Sequence, residues 1–411
     1  MTTDLDKTAC LIYNFITFKF NPILDNQVKN YIKITFLFCL FTSVIFGQAY
    51  FPAAYGEKWE ERSPEEFNIT RKKLDAAISF AIENEYKGAK DLRIAILKGF
   101  EREPYHQVLG PTKKRGGPTG LILKNGYVIA RWGNPKRVDM TFSVTKSYLS
   151  SVAGLAVDQG LFKTQDHVAD LIWDTTFDGS HNQQIKWEHL LNQSSDWSGT
   201  LWGGHDWADR PPQEGGIDDW KNRSYHTPGT HFEYNDVRVN LLAYSLLNVW
   251  RMPLPQVLKK YIMDPIGASP SWRWYGYKNS WIELDGNRMQ SVSGGGHSGG
   301  GLFINTEDHA RFGLLFLNQG NWNGKQLISK DWIEAATKSS EAQVNYGYMW
   351  WLNKRGTNRY WEGVPENAYY AAGFGGNFII ILPEADLVIV TRWLEPNKIG
   401  SFMKKVMDAL P

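Results

Sequence analysis

The order of strand-like and helix-like patterns along the chain predicts an α/β fold of the α+β type, built on antiparallel strands. Strand patterns occur before about residue 140 and return after Gly301, and a mostly helical insertion at about 165–296 separates them. Two hairpin signals predict antiparallel pairing. Asn125-Gly126 lies between two strand patterns, and Pro383-Glu384-Ala385-Asp386 lies between two others.

A helix pattern precedes the first strands. Ser63-Pro64-Glu65-Glu66 predicts a helix start, and the apolar face continues at Leu74, Ala77, Ile78, Ala81 and Ile82. Arg93–Leu97 is predicted to be a strand. Leu121–Lys124 and Tyr127–Arg131 are predicted to form the first hairpin.

A long amphipathic helix is predicted directly after Ser143. Gly160 marks its end, and its apolar positions recur with helical spacing at Leu149, Val152, Ala153 and Ala156. Further helices are predicted at Trp187–Leu191, Asn240–Trp250, Thr306–Leu317 and 397–410. The remaining strands are predicted at Leu302–Asn305, Tyr346–Leu352, Tyr369–Ala372, Phe378–Leu382 and Leu387–Arg392.

The candidate nucleophile is Ser143, which begins Ser143-x-x-Lys146 at the start of this helix. Residues three apart share a helix face, so the lysine amine can reach the serine hydroxyl. A serine hydroxyl needs a neighbouring base, and burial lowers a lysine pKa toward the range where the amine can be that base. The helix N-terminus adds backbone N–H groups for an oxyanion. The same spacing at Ser401 and Lys404 lies in the terminal helix, and we interpret it as structural.

Two other motifs are also interpreted as structural. Gly296-His297-Ser298-Gly299-Gly300 matches the nucleophile elbow of α/β-hydrolases, but here the predicted strand follows the serine instead of preceding it. The same missing strand argues against a dinucleotide site at Gly294, Gly296 and Gly299. None of the nine histidines forms a metal-binding motif, so neither a metal nor a cofactor is predicted. His297 is the exception, because its flexible glycine-rich setting can place it at the cleft.

Composition narrows the range of partners. The formal charge of +2 suggests neither nucleic acid nor an anionic membrane. The 14% aromatic content predicts either a tryptophan-rich core or an aromatic-lined cleft, and both remain open. Within the loop Asp196–Pro212 we expect Asp196, Asp206 and Asp209 to be solvated, with binding of a polar substrate as the alternative.

Residues 1–49 have the layout of a secretory signal peptide with an over-extended start. Lys29 and Lys33 precede the apolar run Ile34–Phe46, and Gly47-Gln48-Ala49 offers small residues for cleavage. The run is shorter than the ~20 residues that a membrane span needs. A membrane anchor through residues 26–49 is the alternative.

Cleavage after Ala49 would leave residues 50–411 as the mature protein, periplasmic or secreted and without a stable membrane span. It would also remove Cys10 and Cys39, the two cysteines of the chain. The mature protein would then be stabilised by its core and not by a disulfide.

Three short motifs follow one another in the chain: Ser143-x-x-Lys146, Tyr234-Asn235-Asp236 and Phe374-Gly375-Gly376-Asn377. In this order they resemble the penicillin-recognising serine hydrolases, which include class C β-lactamases, DD-peptidases and family VIII carboxylesterases. Those proteins carry Ser-x-x-Lys, Tyr-x-Asn, and Lys-Thr-Gly or Gly-His-Gly-Gly-Gln. Asp236 therefore replaces the usual Asn, and Phe374 replaces a polar or charged group.

The resemblance covers about residues 64–410 and implies a β-lactamase/DD-peptidase-like fold. Helices would flank both faces of an antiparallel sheet, and the active site would lie between the sheet and the mostly helical lobe. It also implies an acyl-serine mechanism without a cofactor, in which Lys146 activates Ser143 and Tyr234 relays protons. Asn377 would supply the second oxyanion N–H beside that of Ser143, and Gly375 and Gly376 would let the strand pass close to a substrate carbonyl.

The expected activity is hydrolysis of an ester or amide, most nearly that of a carboxylesterase, on a small-molecule or a glycan- or peptide-linked substrate. A β-lactamase or DD-peptidase, and a catalytically silent binding protein on the same scaffold, are the alternatives. Phe374 favours esters over β-lactams, because it cannot pair with the lactam carboxylate and a missing charged hydrogen bond costs about 1.5–3 kcal/mol. An ionised Asp236 is expected to repel that carboxylate as well.

Overall fold

A six-stranded antiparallel sheet organises residues 50–411, the part of the chain that the computed structural model describes. In spatial order its strands are Trp351–Leu352, Tyr369–Gly373, Asn377–Leu382, Leu387–Arg392, Thr119–Lys124 and Tyr127–Trp132. The fifth strand pairs with the fourth, so that Thr119 lies opposite Arg392 and Lys124 opposite Leu387. The sheet therefore joins strands from the two ends of the described chain.

Both predicted hairpins are confirmed. The first strand pair meets around Asn125 and Gly126, whose φ angles of 53° and 84° are those that a tight hairpin turn requires. The second pair closes at Leu382 opposite Leu387. The Asn-Gly turn forms because Gly, and to a lesser degree Asn, tolerates a positive φ.

The central strand Asn377–Leu382 is buried on both faces. Ile379 and Ile381 pack into the large core that contains residues of the helix Thr306–Leu317. Ile380 and Leu382 pack into a second core with the helices Arg71–Glu83 and Ile399–Met407. Helices therefore cover both faces of the sheet, as predicted.

The predicted nucleophile helix is confirmed at Thr145–Asp158, and Gly160 follows it with a φ of 70°. All four of its predicted apolar positions are buried. The other α-helices of the described chain are Leu92–Gly99, Trp187–Leu191, Ile217–Lys221, Asp236–Trp250, Leu254–Leu258 and Lys330–Ala336.

The middle region is less helical than predicted. It contains a long hairpin, Arg273–Leu284 and Asn287–Val292, which pairs with Gly301–Ile304 in a second antiparallel sheet. Asp285-Gly286 forms the turn of this hairpin, with φ angles of 53° and 74°. This dipeptide is itself a hairpin signal, and the sequence interpretation passed over it.

Three local predictions are wrong. The strand predicted at Tyr346–Leu352 covers only Trp351–Leu352. Arg93–Leu97 lies in the helix Leu92–Gly99, because Asp91 caps Arg93 N at 2.9 Å and Leu92, Ala95 and Ile96 share one buried face. The helix predicted from Ser63 is only a short turn, Pro64–Phe67. Asn68 ends that turn with a φ of 58°, and a separate helix begins at Arg71.

Among residues 50–411, no helix is long and apolar enough to cross a membrane. The predicted signal peptide, its cleavage site, the alternative anchor and both cysteines lie outside the described residues.

Candidate active site

Ser143 lies in a single turn, Phe142–Val144, directly before the nucleophile helix. Phe142 has a φ of 52°, a conformation that costs a non-glycine residue about 1–3 kcal/mol and is common at active sites. Its buried ring packs against Phe374 at 5.0 Å and Trp393 at 6.5 Å between centroids. This packing holds the strained turn in place.

A buried hydrogen-bond chain supports the same turn from behind. Thr141 Oγ1 lies 2.8 Å from His309 Nε2, and Tyr148 Oη lies 2.9 Å from His309 Nδ1. Burial and the nearby Arg392 hold the pKa of His309 well below its ordinary value, so the imidazole is neutral and can donate at one nitrogen and accept at the other. Sequence analysis missed His309, because it lies more than 160 residues from its partners.

Lys146 lies between Ser143 and Asp236. Its Nζ donates to Ser143 Oγ at 2.9 Å and to Asp236 Oδ1 at 2.6 Å, and its side chain is 2% exposed. Burial by itself lowers the pKa of Lys146, but the Asp236 carboxylate and Tyr234 outweigh burial and raise it above its ordinary value. The lysine is therefore an ammonium at neutral pH. The predicted lowering of its pKa is wrong, because the prediction did not include Asp236 as a partner.

Asp236 is the first residue of the helix Asp236–Trp250, and Asn235 caps that helix by accepting from two backbone N–H groups. The Asp236 carboxylate also accepts from Arg210 Nη2 at 2.7 Å. Burial raises the pKa of Asp236, but Lys146 and Arg210 lower it far more, so the carboxylate is ionised. Because two cations compensate its charge, the structure does not support the predicted repulsion of a substrate carboxylate.

Arg210 connects Asp236 to His297 and Glu103. Its Nη2 lies 3.2 Å from His297 Nδ1, and His297 Nε2 lies 2.5 Å from Glu103 Oε2. Since the guanidinium can only donate, Nδ1 accepts and Nε2 carries the hydrogen that faces Glu103. His297 therefore lies at the cleft and helps to hold the arginine that neutralises Asp236.

The loop that carries Arg210 is more buried than predicted. Asp196, Asp206 and Asp209 are each no more than 5% exposed. Asp196 and Asp206 pair with Arg223 and Arg238, and Asp209 pairs with Arg210. These aspartates are structural ion-pair partners and not solvated groups.

Tyr234 meets the lysine with its ring. Lys146 Nζ lies 4.7 Å and the Arg210 guanidinium carbon 5.1 Å from the ring centroid, and the ring stacks on Trp351 at 5.6 Å. Within residues 50–411 its hydroxyl makes no hydrogen bond. The structure therefore brings Tyr234 to the candidate centre, where its hydroxyl can still form a hydrogen bond to a substrate.

The third motif forms the turn between the strands Tyr369–Gly373 and Asn377–Leu382. Gly375 and Gly376 have φ angles of 77° and 78°, and a Cβ on Gly376 would overlap the Leu394 carbonyl oxygen. The Asn377 side chain is fully buried. Its Nδ2 donates to Phe374 O at 2.7 Å, and its Oδ1 accepts from Arg392 Nε at 2.7 Å. Asn377 thus stabilises the turn and does not line the cavity at Ser143.

The strand Tyr369–Gly373, which precedes this turn, passes close to Ser143. A Cβ added to Gly373 would lie 3.3 Å from Ser143 N. Asn353 N donates to Ala368 O at 2.9 Å, so alternate residues of this strand direct their N–H groups toward the sheet edge. Ala372 is such a residue, and it lies beyond the last partner on the edge strand. Its N–H is therefore directed away from the neighbouring strand Asn377–Leu382, and Ala372 itself lines the cavity.

The glycine-rich segment that includes Ser298 packs over the ion pair. A Cβ on Gly295 would lie 1.9 Å from Asp236 Oδ1 and 2.3 Å from Lys146 Nζ. Ser298 precedes the strand Gly301–Ile304, so it is not at a nucleophile elbow. Ser401 is exposed on the terminal helix, as predicted for a structural residue.

Ser143 opens into a cavity of about 850 Å³. Nine of its 23 lining residues are aromatic: Tyr86, Phe100, Phe142, Tyr234, Trp351, Trp361, Tyr370, Phe374 and Phe378. Phe374 contacts the rings of Tyr86 and Phe100 as well as Phe142. The high aromatic content therefore builds a lined cleft as well as a core.

Two overlapping groups of side chains are close enough to hold a metal ion: Glu103, His106 and His297, and Asp209, Asp236 and His297. Arg210 already donates to Asp209, Asp236 and His297. The Arg210 guanidinium thus occupies the place that a metal ion would need at the second group. Its positive charge also repels a metal ion from the first group.

The candidate centre has the Ser-x-x-Lys arrangement expected of a serine hydrolase. The chain belongs to the Beta-lactamase family, whose family model matches residues 121–393. Members of this family are serine hydrolases, among them esterases, amidases and peptidases. The resemblance found in the sequence is therefore confirmed.

Relatives within the family have different activities. The chain is 23% identical to the 6-aminohexanoate-dimer hydrolase of Paenarthrobacter ureafaciens over 67% of this chain and 73% of that one. It is 27% identical to a putative D-alanyl-D-alanine carboxypeptidase of Escherichia coli O157:H7 over 42% of this chain and 47% of the relative, about half its length. A family VIII carboxylesterase structure matches with a TM-score of 0.54 at 15% identity, covering 86% of this chain and 99% of that one, which shows the shared fold.

Proposed function

We propose that the protein hydrolyses carboxylic esters through an acyl-Ser143 intermediate. The observation that carries this assignment is the aromatic wall beside Ser143, with Phe374 in the place of a polar group. Such a wall suits an apolar acyl or aryl group. It offers no hydrogen bond at the strand turn to the carboxylate of a β-lactam or a peptide terminus.

The reaction has two stages, acylation of Ser143 and hydrolysis of the acyl-serine. Ser143 Oγ attacks the ester carbonyl carbon, the bond to the leaving oxygen breaks, and that oxygen receives a proton. Because Lys146 is already an ammonium and Tyr234 a neutral phenol, the protons move together: Lys146 takes the proton of Ser143 and gives one of its own to the Tyr234 oxygen, while the Tyr234 hydroxyl hydrogen passes to the leaving oxygen. Lys146 Nζ lies over the Tyr234 ring in this structure, so the relay requires it to move to the Tyr234 oxygen in the substrate complex. Water then attacks the acyl-serine ester, which releases the acid and restores the Ser143 hydroxyl.

The oxyanion is assigned to the backbone N–H groups of Ser143 and Ala372, in place of the predicted pair of Ser143 and Asn377. This assignment rests on the approach of Gly373 to Ser143 and on the alternation of N–H directions along the strand. Asn377, Gly375 and Gly376 then act by shaping the turn that fixes this strand.

We also propose that the protein acts outside the cytoplasm, in the periplasm or as a secreted enzyme. The support is the charged, apolar and small-residue succession that ends at Ala49.

The test compares kcat/KM for 4-nitrophenyl butyrate, its nitroanilide counterpart and a chromogenic cephalosporin. Hydrolysis of the ester is expected to be at least tenfold faster than that of either nitrogen compound. A higher value for the cephalosporin would make the protein a β-lactamase, and a higher value for the anilide an amidase. No turnover of any of the three, with no covalent adduct by mass spectrometry, would indicate a catalytically silent scaffold.

A further inference from the structure

In the described part of the chain, three cationic side chains lie at or beside the cavity, and carboxylates neutralise only two of them. Lys146 and Arg210 both donate to the Asp236 carboxylate. Arg359 lines the same cavity, and no carboxylate of residues 50–411 lies within ion-pair distance of its guanidinium. Within residues 50–411, a positive charge that no carboxylate compensates therefore lines the cavity beside Ser143.

Arg359 is held in a defined position. Its guanidinium carbon lies 3.8 Å from the centroid of the Trp351 ring, which provides a flat platform and a cation–π contact. Trp351 in turn stacks on Tyr234. The guanidinium is thus connected through two aromatic rings to the residues around Ser143.

The loop that carries Arg359 is built around one buried side chain. Asn353 Oδ1 accepts from Trp361 N at 2.7 Å, and Asn353 Nδ2 donates to Val364 O at 2.9 Å. Trp361 then stacks on Tyr370 at 4.2 Å in the cavity wall. These contacts fix both ends of the segment on which Arg359 lies.

We propose that Arg359 binds a carboxylate of the substrate, so that the preferred esters carry an anionic end beyond an apolar spacer. The inference rests on the proposed ester hydrolysis. A guanidinium offers paired N–H donors that match the two oxygens of a carboxylate, which makes it more selective for this group than an ammonium is. The aromatic wall between Ser143 and Arg359 suits the spacer. The anion-binding group thus lies on the loop before the strand Tyr369–Gly373, and not on the turn that holds Phe374.

The substrate carboxylate can belong to the acyl group or to the leaving group of the ester. Two pairs of substrates distinguish these cases. 4-Nitrophenyl hydrogen glutarate against 4-nitrophenyl valerate tests an anionic acyl group. 4-(Butyryloxy)benzoate against its methyl ester tests an anionic leaving group. In one of the pairs the anionic member is expected to have a kcat/KM about tenfold to a hundredfold higher, the range that one charged hydrogen bond supports.

Arg359→Gln should reduce that ratio at least tenfold. The matched control is Arg355→Gln on the same loop, because Arg355 pairs with Glu366 at 3.0 Å and does not line the cavity. The control should keep the wild-type ratio. An unchanged ratio in Arg359→Gln, or an equal loss in Arg355→Gln, would overturn the proposal.

A binding measurement separates this inference from the proposed function. Ser143→Ala protein, titrated calorimetrically with the same ester pairs, should bind the anionic member more tightly only when Arg359 is present. If wild-type protein hydrolyses no ester but this dependence is seen, the ester assignment fails and the carboxylate site stands. If hydrolysis occurs without any preference for an anionic ester, the carboxylate site fails and the ester assignment stands.

Discussion

The Lys146–Asp236 pair decides how Ser143 can be activated. A lysine buried without a partner becomes a neutral amine, whereas a lysine beside a carboxylate remains an ammonium. Here the carboxylate is 2.6 Å away and is itself held ionised by Arg210 at 2.7 Å. The lysine is thus suited to orient Ser143 and to conduct a proton, and less suited to remove one by itself.

Ser143→Ala is expected to reduce kcat/KM for the nitrophenyl ester by several orders of magnitude, because it removes the hydroxyl that we propose forms the acyl intermediate. Ser298→Ala and Ser401→Ala are the controls and should retain activity. Labelling with a fluorophosphonate followed by peptide mass spectrometry identifies the modified serine. Full labelling of the Ser143→Ala protein would show that another residue is the nucleophile.

Asp236→Asn should move the alkaline, descending limb of the kcat/KM profile to lower pH by at least one unit. Without the carboxylate, burial and Arg210 lower the pKa of Lys146, and the ammonium that conducts the proton is lost earlier. Asp218→Asn, an exposed change on the helix Ile217–Lys221, should leave the limb in place. If an ascending limb moves instead, the neutral amine is the active form and Lys146 is a general base.

The same pair contributes to stability in a pH-dependent way. The pKa of Asp236 is depressed on folding, so its contribution is present above about pH 4, the ordinary pKa of aspartate, and is lost as the pH falls toward the folded value. The melting temperature of the wild-type protein should therefore fall more steeply with decreasing pH than that of Asp236→Asn.

At the level of the structural elements, the glycine-rich segment before Gly301 sets how closely a backbone can approach the ion pair. Gly295→Ala adds one methyl group where Asp236 Oδ1 would be 1.9 Å away, so the carboxylate or the lysine must shift. We expect kcat/KM to fall at least tenfold. Gly117→Ala is the control, because nothing lies within 4 Å of its added Cβ. Activity within twofold of wild type in Gly295→Ala would show that the ion pair tolerates this displacement.

Local signals predicted the elements better than they predicted the site. The Asn125-Gly126 turn and the nucleophile helix were predicted because each depends on residues close together in sequence. Arg93–Leu97 was assigned to the wrong class because a short apolar run does not distinguish a strand from a buried helix.

The residues that surround the Lys146–Asp236 pair could not be predicted in this way. Arg210 and His297 are 87 residues apart, and His297 and Glu103 are 194 apart, so no pattern in the sequence joins them. The three motifs identified Ser143, Lys146 and Asp236, but the ionisation of the lysine depends on contacts that only the fold brings together. Arg359 likewise carried no sequence signal, because its meaning comes from the cavity it faces.

At the scale of the whole molecule, the sheet and the loop Asn353–Ala368 together determine the chemistry of the cavity. The sheet brings Gly373 close to the backbone N of Ser143, and the loop places Arg359 on Trp351. The loop joins the neighbouring strands Trp351–Leu352 and Tyr369–Gly373, so the reacting bond and the anionic end of a substrate would be held by one continuous stretch of the chain.

The first described residues are tied to this unit, which limits where the chain can be cut. Tyr50 stacks on Tyr127 at 4.2 Å between ring centroids, and its hydroxyl accepts from Glu60 N at 3.1 Å. A few residues later, Ala53 O accepts from Arg311 Nη2 at 2.6 Å. Removal of residues 50–56 would break all three contacts.

We therefore predict that the mature protein begins at or just before Tyr50. A variant that starts at Tyr50 should keep the melting temperature and kcat/KM of the processed protein, because every contact of the described unit is retained. A variant that starts at Glu57 is the comparison and should melt several degrees lower. N-terminal sequencing of native exported material should find Tyr50 and none of residues 1–40. Native enzyme isolated from the cytoplasm with those residues attached would contradict export, and equal melting temperatures for the two variants would contradict the structural role of residues 50–56.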